Sequence, residues 1–64
     1  MIEDAIMDVL SVSGMTYREA MVRAIGDRYD VPYNDVMCII DRLIDEGRVK
    51  VSTDSMNHQY IEVA

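Results

Sequence analysis

The sequence predicts a mainly α domain: three helices followed by a two-stranded β-hairpin. Apolar residues recur at helical spacing in three separate stretches, and glycine or proline closes each one. Beyond Gly47 the apolar period drops from helical to two. At 64 residues this is one domain, spanning 1–64.

In the first helix, Ile2, Ala5, Ile6, Val9 and Leu10 form one apolar stripe. Glu3 and Asp4 lie in its first turn, where carboxylates suit the helix dipole, and Gly14 stops it. Thr16-Tyr17-Arg18-Glu19 then reads as a capping box, with Met15 and Ala20 placed for a hydrophobic staple. The second helix runs to about Tyr29 and buries Ala20, Met21, Ala24, Ile25 and Tyr29. Gly26 costs this helix about 1 kcal/mol against alanine and suggests a close helix contact. Arg18, Arg23 and Arg28 are spaced five apart, so they fan around the helix and read as structural, with Glu19 and Arg23 pairing one turn apart.

Asp30-Val31-Pro32 ends the second helix, because the residue before proline avoids helical angles. Pro32 opens the third helix, or Asn34 caps it one turn later. Val36, Met37, Ile40, Leu43 and Ile44 give the strongest stripe, Ile39 widens it, and Gly47 is the C-terminal stop. Arg48 to Ser52 alternates polar and apolar, Thr53 to Asn57 is rich in turn formers, and His58 to Val63 alternates again. Val49, Val51, Ile61 and Val63 are expected to face inward, and Arg48, Lys50, Tyr60 and Glu62 outward, across a loop of about five residues. An isolated hairpin is barely stable in water, so this one packs on the helices.

Composition narrows the function. One cysteine, Cys38, allows no internal disulfide, and with one histidine, His58, it cannot complete a four-ligand zinc site. Packing of the three helices, or a homodimer, is left to stabilise so short a chain. Phenylalanine and tryptophan are absent, so the six methionines are expected to fill the core. No apolar run approaches the roughly 20 residues of a membrane span, and no export signal precedes the first helix, which places the chain in a cytoplasm. No phosphate-binding glycine loop, nucleophile–base pair or cofactor motif appears, and a chain this short leaves little room for a pocket of about 300 Å³. The expectation is a non-enzymatic protein without cofactor or metal.

Thr16-Tyr17-Arg18-Glu19-Ala20 opening the second helix, followed by Val36, Ile39, Leu43, Gly47 and Val49, resembles the winged helix-turn-helix superfamily. The resemblance covers nearly the whole chain. It implies that the third helix is the recognition helix and the hairpin the wing, with the helix entering a DNA major groove in members that bind DNA. Matched to that pattern, the exposed helix positions are Asn34, Asp35, Cys38, Asp41, Arg42 and Asp45, three aspartates against one arginine.

The net charge of −6 then weighs against a polyanionic partner. The favoured reading is a small acidic regulatory module that docks on a basic protein surface through Glu3, Asp4 and Asp8 on the first helix and Asp35, Asp41 and Asp45 on the third. The alternative is a dimeric transcription regulator that binds duplex DNA. Asn34 would read adenine, Arg42 would read guanine or hold phosphate, and Arg48, Lys50 and Tyr60 would contribute from the wing. A third reading is a subunit stable only within a larger complex. Cys38 is expected to be a half-buried packing residue, and His58 a solvent-exposed residue of the hairpin.

Overall fold

A computed structural model describes all 64 residues. The order of elements is α1 (Ile2–Ser13), β1 (Thr16–Tyr17), α2 (Arg18–Tyr29), α3 (Tyr33–Asp45), β2 (Val49–Thr53) and β3 (Gln59–Val63). This is a winged helix: three helices and a small antiparallel sheet, mainly helical, with the hairpin at the C-terminal side of α3.

The sheet has three strands in the order β1-β3-β2, one more than the alternation in the sequence predicts. Thr16 pairs with Ile61 and Tyr17 with Tyr60. Extended backbone at Thr16 and Tyr17 removes the expected capping box. Thr16 Oγ1 donates to the Gly14 carbonyl at 3.0 Å instead of accepting from α2, and α2 begins at Arg18 without a side-chain cap. The staple does not form either, since Met15 and Ala20 are both exposed.

The buried stripe of α2 is Arg18, Met21, Val22 and Ile25, at i, i+3, i+4 and i+7. The expected stripe was rotated from it, because Ala24 and Tyr29 face solvent. Asp30 closes α2 in the left-handed conformation, φ 54°, which aspartate tolerates better than most residues. Its N–H and that of Val31 both return to the Gly26 carbonyl. The close contact at Gly26 is with this turn: a β-carbon there would stand 2.9 Å from the Val31 carbonyl oxygen. Gly26→Ala is therefore expected to be destabilising. The clash costs about 1–3 kcal/mol and exceeds the roughly 1 kcal/mol that alanine gains in a helix. A lowered midpoint in denaturant would show it, and a raised midpoint would refute the close approach.

Pro32 precedes α3 as its cap, so Asn34 lies inside the first turn and caps nothing. At the far end, the Gly47 N–H bonds the Ile44 carbonyl and the Arg48 N–H bonds the Leu43 carbonyl, with Gly47 at φ 75°. This Schellman pattern directs the chain from α3 into β2. In the hairpin, Val49 opposes Val63 and Val51 opposes Ile61, which puts all four on one face as expected. Only Val49 and Ile61 are covered, however, while Val51 and Val63 lie beyond the reach of the helices and stay partly exposed.

Every element except β1 contributes to the core: Ile6 and Leu10; Met21, Val22 and Ile25; Val36, Ile40 and Leu43; Val49; and Ile61. It is aliphatic, with all four tyrosines outside it. Met21 is its sole methionine. Met7 and Met37 pack at its edge, and Met1, Met15 and Met56 are exposed, so the expected filling of the core by methionine is corrected. Cys38 is exposed, because it falls outside the Val36–Ile40–Leu43 stripe. No helix is long and apolar enough to cross a membrane.

Candidate nucleic-acid interface

In a winged helix the surface that can enter a DNA groove is the solvent face of α3 with the adjoining hairpin. On α3 that face carries exposed Asn34, Asp35, Cys38, Asp41, Arg42 and Asp45. Two of the charged side chains expected to act there, Asp41 and Arg42, are held by ion pairs that no sequence spacing announces.

The most buried pair centres on Arg18. Its side chain is 9% exposed, and its guanidinium donates to Asp41 Oδ1 on α3 at 2.5 Å and to Gln59 Oε1 on β3 at 3.1 Å. Arg18 thus ties the start of α2 to the recognition helix and to the wing, while its buried Nε has no partner. The structural reading of Arg18 holds, but by burial between elements rather than on a fanned-out surface. Asp41, expected in an acidic docking strip, is spent on this clamp.

Arg42 Nη2 donates to Glu3 Oε2, which joins the recognition helix to α1. On the hairpin, Arg48 lies 3.9 Å from Glu46 and Lys50 lies 3.8 Å from Glu62. On α2, Arg23 and Glu19 pair at 2.7 Å as their spacing predicts. The Arg23 hydrogen bond holds the Glu19 carboxyl below its ordinary value. Arg28 has no carboxylate partner and stands 5.5 Å over the Tyr29 ring. Asp4 takes the Met1 amino group at 3.2 Å, and Asp8, Asp35 and Asp45 are exposed without an ion pair. The expected acidic strips therefore dissolve into a few isolated carboxylates, although no continuous basic ridge replaces them.

The third strand brings together groups far apart in the sequence. Tyr17 packs at 5.7 Å from the Tyr60 ring and meets His58 edge-on at 5.6 Å. Tyr60 is half-buried, and its hydroxyl donates to Asp54 Oδ2 at 3.2 Å. Desolvation, reinforced by Asp54, pushes its ionisation up from the ordinary tyrosine value. Asp54 Oδ1 accepts the Met56 and His58 N–H groups, both at 2.9 Å, and so organises the hairpin turn. His58 is exposed as expected, yet its ring is a cross-strand packing element.

The His58 and Met56 N–H groups, with the Tyr60 hydroxyl, hold the Asp54 carboxyl below its ordinary value. A depressed carboxylate stabilises the fold above its unfolded pKa and loses that contribution as pH falls through the folded value. Acidification into that range is expected to loosen the hairpin turn before the helices. The Met56 and His58 amides would lose hydrogen-exchange protection first, whereas loss in step with α3 amides would refute a local role.

Arg18, Glu19 and Tyr17 at the start of α2 face Tyr33, Met37 and the hairpin residues Asn57 to Gln59 across an open cleft of about 320 Å³. A second, of about 400 Å³, lies between α2 and the turn into α3. The expectation that so short a chain leaves little room for a pocket is thereby corrected. Sequence reasoning did not single out Tyr17, Arg18 or Tyr33 as lining a cleft. The usable signal was Arg18 itself, which sits at i of the i, i+3, i+4, i+7 pattern that α2 buries.

No curated protein and no solved structure matches the chain. One family model does, over residues 1–64, and its description is penicillinase repressor.

Proposed function

Because this chain belongs to the penicillinase repressor family, we propose that it is a transcription repressor domain that binds duplex DNA as a dimer. Helix α3 enters the major groove, where Asn34 reads a base edge. Arg42, Arg48 and Lys50 hold phosphates, and Tyr60 supports the wing. The observation that carries this reading is the agreement of a repressor family with a winged helix over the same 64 residues. The alternative weighed from the sequence is thereby favoured over docking on a basic protein, which gains no support from the family and loses Glu3 and Asp41 to internal ion pairs.

Selection of bound duplexes from a random pool tests the proposal. A repressor dimer enriches a sequence with two related half-sites, centred about one helical turn or a multiple of it apart. Asn34→Ala is expected to relax the selected sequence at one position in each half-site while sparing the rest. A pool that emerges unenriched, at low salt as well as high, would refute the proposal.

A further inference from the structure

We propose that Glu3 is a built-in competitor for phosphate, held on α1 so that it occupies Arg42 until duplex DNA displaces it. The inference rests on the DNA-binding reading above and deepens it. Arg42 is the one cation among the exposed residues of the recognition helix, and its guanidinium is engaged by a carboxylate 39 positions away in the chain. The pair lies at the surface, with Arg42 53% and Glu3 34% exposed, so phosphate can reach the guanidinium and exchange with the carboxylate. Surface pairs of this kind are weak enough to be exchanged.

The hairpin repeats the device. Glu46 beside Arg48 and Glu62 beside Lys50 give each candidate phosphate-binding cation a carboxylate of its own. When such a cation transfers to DNA, the freed carboxylate takes up a counter-ion, which offsets part of the counter-ion release that drives phosphate binding. Affinity is thereby held down at low salt and falls less steeply as salt rises. The long-range repulsion between the duplex and a protein of net charge −6, itself screened as salt rises, acts in the same direction.

Anisotropy of a labelled duplex, measured across a salt series, tests the inference on wild type, Glu3→Gln, Arg42→Ala and the double variant. Asp27→Asn is the control for net charge, since Asp27 is exposed on α2 and joins none of the ion pairs. Glu3→Gln is expected to tighten binding about 2- to 5-fold at low salt, the range of exposed ion pairs. It should also steepen the salt dependence by about one ion. Both gains should vanish when Arg42 is alanine, and Asp27→Asn should give less. Glu46→Gln with Glu62→Gln, at an exposed and a half-buried position of the hairpin region, supplies a second variant expected to move in the same direction should Glu3→Gln fold poorly. The inference is overturned if neither variant gains affinity, if Glu3→Gln gains as much without Arg42, or if Asp27→Asn matches it. Failure of wild type to bind any duplex overturns the DNA reading as well; binding by wild type without these gains overturns the inference alone.

Discussion

Replacing Ile40 with alanine is expected to lower the thermal midpoint of this domain by more than about 10 °C. Ile40 is fully buried in the middle of α3 and belongs to the core shared with α1, α2, β2 and β3. Isoleucine-to-alanine changes in such positions cost about 2–5 kcal/mol, through lost transfer energy and the cavity left behind. A chain of this size has a total stability on the order of 3–10 kcal/mol, so the change removes a large part of it. At roughly 4–8 °C per kcal/mol, a cost of about 3 kcal/mol lowers the midpoint by about 12–24 °C. Melting followed by circular dichroism is sufficient to measure this. A shift below about 4 °C would mean that the core is not organised around α3.

The second large effect concerns binding. Changing Arg42, Arg48 and Lys50 together to glutamine is expected to weaken duplex affinity by about a hundredfold or more. Three phosphate contacts at about 1 kcal/mol each sum to about 3 kcal/mol, and each 1.4 kcal/mol is a factor of ten. Each residue is also exposed at the protein surface, so the fold should tolerate the change. The loss should be similar for the selected duplex and for unrelated sequences, because phosphates carry no sequence information. If affinity fell by less than about threefold, phosphate binding would have to reside elsewhere, with Arg23 and Arg28 on α2 the remaining exposed cations.

Much of this fold was legible because its elements are patterned locally. The stripes of α1 and α3, the stop at Gly47, the switch to period two and the five-residue hairpin loop all depend on neighbours within a few positions. The features that escaped depend on partners far away. Thr16 and Tyr17 look like the start of a helix, and only Tyr60 and Ile61, more than forty residues on, make them a strand. The stripe on α2 was misplaced because alanine suits either face of a helix and arginine is not counted as a core residue. Val22 and Arg18 are buried in fact, whereas Ala20 and Ala24 are not.

The functional surface was less legible than the fold, for an electrostatic reason. A net charge of −6 says nothing of where its charges sit, whereas Glu3 and Asp41 are each paired with an arginine from another helix. Summed charge cannot distinguish an acidic docking strip from a set of ion pairs until the chain is folded. The residues expected to bind DNA do lie on one side of the Schellman turn or the other, on α3 and the hairpin, since Gly47 joins those two elements directly. The contribution of Arg18, which connects α2, α3 and β3, rests on contacts separated by 23 and 41 residues, and its only local trace is its place in the buried pattern of α2.

Backbone amide shifts recorded while a selected duplex is titrated into the labelled protein test the central claim most directly. Binding through the recognition helix and wing requires the largest changes at Asn34, Arg42, Arg48 and Lys50, with Asp8 and the exposed side of α1 beyond it unmoved. Changes confined to α1, or none at any residue of α3, would contradict it.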